Sequence, residues 1–251
     1  YLFSKNIINN SEIISIKCVN SNGSGSINDL SSSLKLSLQL SRKNYQKSTK
    51  WLPDIIIMSL GINIPSVMHD NNKMNQIAEM KRTMEISQNS YQSIFVVASG
   101  NNDINSNNIF PANLGICKNN TDGLSVFTVG GTNCKLPKKK TFENPNPKPL
   151  LKNTRASYSN YGTNCIYAPS SILFFLDKDY SLDEGGNIGN GTSYSVPLVA
   201  SIISIILVSF YKNDLLIKEK LKSYNLSYSI YYILKNNLCV TNSLDIDNKE
   251  N

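Results

Sequence analysis

Gly191-Thr192-Ser193-Tyr194-Ser195-Val196-Pro197 is the stretch best suited to chemistry. A glycine turn runs into a serine at the start of a strongly apolar segment, Val196 to Tyr211. A side chain at such a helix start is pinned, and the helix dipole favours negative charge developing beside it. These are the conditions for a serine nucleophile whose tetrahedral intermediate carries an oxyanion. Two blander readings use the same residues. Thr192 or Ser193 can simply cap the helix. The glycines from Gly185 to Gly191 also invite a phosphate loop, but the loop lysine, a preceding strand and a following acid are not evident.

A serine nucleophile needs a base. The chain has 251 residues and one histidine, His69, in Pro65-Ser66-Val67-Met68-His69-Asp70-Asn71. A His-rich metal site is thereby excluded, and histidine-based catalysis must use His69 or a base from elsewhere. Asp70 is its sequence neighbour, and adjacent residues do not orient one another as triad acid and base. His69 therefore reads as a loop or helix-start residue. Five cysteines (Cys18, Cys117, Cys134, Cys165 and Cys239) form no C-x-x-C pair, which leaves zinc and dithiol chemistry without support. The carboxylates are dispersed, so no calcium ligands can be named.

The positive balance, Lys+Arg 25 against Asp+Glu 18, is scattered apart from Lys138-Lys139-Lys140 in a Pro-rich stretch. No aromatics alternate with that cluster as a nucleic-acid platform would require, so it reads as a solvated loop. An apolar fraction of 40% suffices for a real core and excludes a wholly disordered chain. The run Val196–Tyr211 is short for a membrane span and contains Pro197, Ser201, Ser204 and Ser209, which predicts a buried helix. The opening Tyr1-Leu2-Phe3-Ser4-Lys5 has neither an initiating Met nor a signal-peptide pattern, which suggests a segment of a longer chain.

The elements that would position Ser193 alternate. Ile13 to Val19 reads as a strand ending at a Gly23-Ser24-Gly25 turn. Asp29 can cap a helix whose face carries Leu30, Leu34 and Leu38. Ile55-Ile56-Ile57-Met58 is a continuous apolar run closed by Gly61, as in a strand buried on both faces. Met74, Ile77, Ala78 and Met84 mark a second helix. Ile94–Ala98 and Val126–Val129 are further buried strands, the latter ending at Gly130-Gly131, and Ile166–Pro169 is a short one. Leu215 to Leu238 reads as a closing helical pair. This order predicts an α/β fold with a doubly wound, mainly parallel sheet and helices on both faces. One domain would span residues 1–240, with a Lys-, Pro- and Asn-rich surface insertion at 134–154 and a polar tail at 241–251.

Taken together, these segments resemble the subtilisin-like serine proteases, or subtilases. Gly191 to Pro197 resembles the family's nucleophile box. Val97-Ala98-Ser99-Gly100-Asn101 resembles its oxyanion-hole box, followed by Phe110-Pro111-Ala112. Met58-Ser59-Leu60-Gly61 matches the substrate-flanking strand, Ala156-Ser157-Tyr158-Ser159-Asn160-Tyr161-Gly162 a later family segment, and Ala168-Pro169 the Ala-Pro pair beyond it. All occur in the family's order, from about Ile13 to Leu238.

The resemblance implies that Ser193 is the nucleophile and that the Asn101 amide and the Ser193 N–H are the oxyanion donors. It implies that Ser59-Leu60-Gly61 and Ala98-Ser99-Gly100 wall the pocket for the residue before the scissile bond, with Ile109 near its closure and the pocket therefore fairly small. A peptide or protein is then the substrate, and a prodomain inhibitor is an allowed partner. No cofactor is needed for the chemistry, structural calcium is allowed, and a secretory, extracellular or organelle-lumen location follows by family.

Several positions depart from the family's pattern. Tyr194 and Ser195 replace a commoner Met-Ala, Leu198 stands where His is frequent, and Ser201 replaces a common Gly. The family's Asp and His boxes precede the strand aligned with Ile13–Val19, and Tyr1 to Asn10 contains neither residue. The expectation is the C-terminal portion of a catalytic domain, with its first strand, catalytic-His helix, Asp and His upstream. The alternatives are a catalytically silent relative that binds peptide or partner, and an unrelated nucleotide-binding protein.

Overall fold

The computed structural model of the chain describes residues 12–47, 54–115, 124, 126–133, 154–162, 165–174, 187–213 and 226–234. Helix α1 (Ile27–Lys47) is followed by strand β1 (Ile55–Met58), short β2 (Ile62–Asn63), helix α2 (Asn71–Tyr91), strand β3 (Ile94–Ala98) and short β4 (Ile109–Phe110). Then come β5 (Val126–Asn133), β6 (Thr154–Arg155), β7 (Cys165–Pro169), β8 (Ser171–Phe174), β9 (Asn187–Asn190), α3 (Thr192–Asn213) and α4 (Leu226–Ile233).

β1, β3, β5 and β7 lie side by side and parallel, with Ile55 beside Ile94, Phe95 beside Val126 and Thr128 beside Cys165. β6 adds antiparallel pairing at the end of β5. Two small antiparallel pairs, β2 with β4 and β8 with β9, flank the sheet.

β3 shows why the sequence folds this way. Side chains alternate across a strand. Ile94, Val96 and Ala98 pack with Val196, Val199, Ala200, Ile203 and Leu207 of α3 and Leu226 and Ile230 of α4. Phe95 and Val97 pack with Leu30 and Leu34 of α1 and Ile77, Met80 and Met84 of α2. A strand covered on both faces has no polar side to present, hence its unbroken apolar run. This is the expected α/β arrangement with helices on both faces. By length and composition alone Thr192–Ser209 could cross a membrane, but its inner face lies on the sheet.

Several local expectations change. Ile13–Val19 is not a strand: Ile13 is 80% exposed, and no described strand pairs with the segment. β-Branched residues alone cannot satisfy a strand's backbone groups without a ladder partner. β1 is an edge strand among the described residues, and its Ile57 is 47% exposed rather than buried. Asp29 is not the cap of α1 but the partner of Ser26. Its carboxylate accepts from the Ser26 N–H at 3.0 Å, while its own N–H donates to Ser26 Oγ at 3.1 Å, the reciprocal capping box.

In α2, Ala78 faces out and Met80 faces in. β5 does not stop at Gly130-Gly131 but continues to Asn133. A Cβ on Gly130 would lie 2.6 Å from the Tyr167 ring and one on Gly131 2.6 Å from Ser170 Cβ. These glycines allow close approach rather than a turn. The insertion at 134–153, the first part of the closing helical pair (214–225) and the tail at 241–251 lie outside the described residues.

Candidate active site

α3 begins at Thr192, and its first N–H is capped from far away in sequence. Asn101 Oδ1 accepts from the Thr192 backbone N–H at 2.9 Å and from Thr192 Oγ1 at 3.0 Å. Neither Thr192 nor Ser193 acts as the cap; Asn101 does, from the loop after β3. The contact also settles which way the amide points. A backbone N–H can only donate, so the atom facing it must be the carbonyl oxygen, and Nδ2 is turned away from Thr192.

That NH2 group meets a second donor. A Cβ built on Gly191 would lie 3.5 Å from Asn101 Nδ2 and 3.9 Å from the Ser193 nitrogen. Two N–H donors thus flank one small space, left open because residue 191 is glycine. Donors fixed in advance around a point are what stabilise charge appearing there in a transition state.

Pro197 has a local consequence. It carries no N–H, so the Ser193 carbonyl, four residues back, has no helical donor. Ser59 Oγ reaches that carbonyl at 3.4 Å, and Ser193 Oγ reaches back to the Ser59 carbonyl at 3.4 Å. The reciprocal pair ties the head of α3 to the segment leaving β1. Two of the departures from the family's pattern, Ser195 and Ser201, are accommodated by hydrogen bonds. Buried Ser195 donates toward the carbonyls of Ala168 and Pro169, at 3.1 and 3.0 Å. Ser201 Oγ donates to the Pro197 carbonyl at 2.6 Å.

The structure brings Ser59, Leu60, Gly61, Ala98, Gly100, Asn101 and Ser193 around one cleft, joined by Asn63, Asn102, Ile109 and Thr192. Ser99 does not line it: its side chain is buried, facing the carbonyls of Gly100 and Asn160. Gly61 has no room for a side chain, since a Cβ would lie 2.5 Å from Ile109 Cγ2. Ile109 therefore closes the cleft beneath Gly61. Among the described residues no charged side chain lines the cleft. Asn63 and Asn102 went unnoticed in the sequence, where abundant asparagine hides any single one.

His69 lies outside this cleft, in the exposed turn before α2. Asp70 is occupied as the α2 cap, accepting from the Lys73 N–H at 3.1 Å. That hydrogen bond, with the Lys73 ammonium 3.3 Å away, holds its carboxyl below the usual range. On β7, burial pushes the Cys165 thiol up to about 11, so it is protonated at neutral pH. Among the described residues no three His, Cys, Asp or Glu side chains gather in a group that could hold a metal ion.

Comparison with known proteins supplies the family. The subtilase family model matches residues 4–230. No curated protein matches the chain significantly. Among solved structures, a lanthipeptide protease is 15% identical over 88% of this chain and 60% of its own, with a TM-score of 0.52. A cold-adapted subtilisin-like serine proteinase is 20% identical over 77% of this chain and 52% of its own, with a TM-score of 0.47. A protease from Pseudoalteromonas arctica is 22% identical over 75% and 48%, with a TM-score of 0.36. The chain thus spans between about half and three fifths of the length of these structures. With the family model covering most of its length, the chain belongs to the subtilase family.

Proposed function

We propose that this chain supplies the nucleophile and oxyanion half of a serine endopeptidase that hydrolyses peptide bonds through an acyl-enzyme on Ser193. The observation that carries the reading is the Asn101–Thr192 contact, which turns the Asn101 NH2 toward the space beside the Ser193 N–H. In the proposed cycle the Ser193 hydroxyl attacks the scissile carbonyl. The carbonyl oxygen becomes an oxyanion held by Asn101 Nδ2 and the Ser193 N–H. The amine leaves, and water then releases the acyl group. The proton from Ser193 goes to a histidine oriented by an aspartate, both proposed to lie upstream of this sequence, and passes from that histidine to the departing amine.

The peptide would lie extended between Ser59–Gly61 and Ala98–Gly100, pairing along Ser59–Gly61 as an added strand does. Closure by Ile109 and an uncharged lining favour a small, uncharged side chain before the scissile bond. A secretory or organelle-lumen location accords with family membership. The test is a fluorophosphonate probe applied to the full-length protein. Labelling that disappears in Ser193→Ala supports the reading, and an unlabelled, folded protein sinks it.

One observation favours a second reading, a silent peptide-binding relative. The single histidine of the chain, His69, is not in the cleft. The same probe separates the two, because a serine without a base does not label.

A further inference from the structure

The loop that carries Asn101 is held from behind by one side chain. Asn160 is fully buried. Its Nδ2 donates to the Ser99 carbonyl at 2.8 Å. Its Oδ1 accepts from the Asn102 N–H at 2.9 Å and the Ile104 N–H at 3.2 Å. Its own backbone N–H donates to the Gly100 carbonyl at 2.9 Å. One residue therefore satisfies backbone groups on both sides of Asn101. Gly100 sits at φ +106°, where side chains are disfavoured, and a Cβ there would lie 2.4 Å from Asn160 Nδ2. The loop backbone is thus pressed directly onto the amide.

We propose that Asn160 is a positioning residue for the oxyanion donor Asn101. The inference rests on the proposed proteolytic reading. Asn101 touches the space where the oxyanion would form, whereas Asn160 acts only through it. Thr192 holds the Asn101 carbonyl from one side, and Asn160 fixes the backbone from which the side chain springs. A donor so clamped need not reorganise when charge develops, and that fixity is the source of its value. A buried amide able to donate in one direction and accept in the other is required here. The Ser99 carbonyl and the Asn102 and Ile104 N–H groups have opposite polarity, and no apolar or acidic side chain satisfies both.

The test uses Asn160→Asp and Asn160→Ala in the full-length protein, with kcat, KM and Tm measured on a peptide substrate. Asn160→Asp keeps size and acceptor but replaces the donor to Ser99 with a repelling oxygen. The expected result is a kcat lowered roughly 10- to 100-fold with KM changed less than about threefold, as for an interaction made in the transition state. In an Asn101→Gly background, the same Asn160→Asp change should alter kcat by less than about twofold, because coupled residues are not additive. A purely structural role would instead cost the same factor in both backgrounds, and that outcome overturns the inference.

Where a variant fails to fold, hydrogen exchange on the unaltered protein decides. The Asn102 and Ile104 amides should be protected, and exchange at free-peptide rates overturns the proposal. Turnover indifferent to Ser193→Ala overturns the underlying reading and this inference with it. Turnover that needs Ser193 and Asn101 but is normal in Asn160→Asp overturns this inference alone.

Discussion

The two walls of the cleft differ in how firmly they are built. The wall from Ala98 to Asn102 continues β3, whose five residues are all buried between α3 and α4 on one face and α1 and α2 on the other. Its loop is bracketed by Asn160 and Thr192. The wall from Ser59 to Gly61 continues β1, the edge strand among the described residues, whose Ile57 is half exposed. It is tied to α3 by two long 3.4 Å hydrogen bonds. A donor to transition-state charge loses its value if it must move into place. A surface that only accompanies the substrate can adjust at little cost. Among the described residues, the wall where the proposed charge develops is held by more hydrogen bonds than the other.

Changes at the two walls should therefore fail in different ways. The largest effect is expected at their junction: Ser193→Ala should lower kcat by about 10⁶-fold, a magnitude known from a member of the same family. Residual turnover near wild type would remove Ser193 from the chemistry. Next comes Asn101→Gly, which should lower kcat by about 10²–10³-fold at nearly constant KM, again a magnitude known from that family. A change in KM alone would make this wall no different from the other.

Stability should divide the same way. Ile203→Ala, beneath the central strand, should cost about 2–5 kcal/mol, whereas Ile57→Ala at the edge should stay within about 0.5 kcal/mol. Equal shifts in Tm would erase the distinction.

Specificity should depend on the side of Gly61 and Ile109. Ile109→Ala should raise kcat/KM for larger apolar residues before the scissile bond roughly tenfold relative to small ones. An unchanged preference would show that Ile109 does not close the pocket.

A further effect is expected at Cys165 on β7. Burial raises the Cys165 pKa from 9.0 to about 11, so the unfolded chain ionises first as pH rises. The stability this group contributes is present below about pH 9 and declines between there and about pH 11. Alkylation should be slow at pH 8 and accelerate only in that upper window. Rapid labelling at pH 8 would show that the region around Cys165 opens readily.

Some of this was legible in the residues alone. Ile94–Ala98 announced a doubly covered strand because five consecutive apolar residues leave no face for water. Ser193 and Asn101 stand in short boxes that keep their spacing wherever the chain takes them, and the structure brings both to one cleft. Ile13–Val19 misled because strand propensity says nothing about whether a partner is present to accept the hydrogen bonds. A box fixes order along the chain but not which way each side chain turns, and the Ser99 side chain turns inward. Asn160 stood in a recognised segment, yet nothing local distinguished it from the many other asparagines.

The sequence by itself determined the alternation of the main helices with the buried strands β1, β3 and β5 and the resemblance to the family, because apolar periodicity and local motifs survive without knowledge of contacts. Tertiary structure decided which carbonyl and which N–H each amide meets. Asn101 and Thr192 are 91 residues apart, and Asn160 lies 58 residues from Asn102. Such contacts depend on where the packed sheet delivers its loops. That delivery is set by burial summed over both faces of β3, and no stretch of the chain encodes it alone.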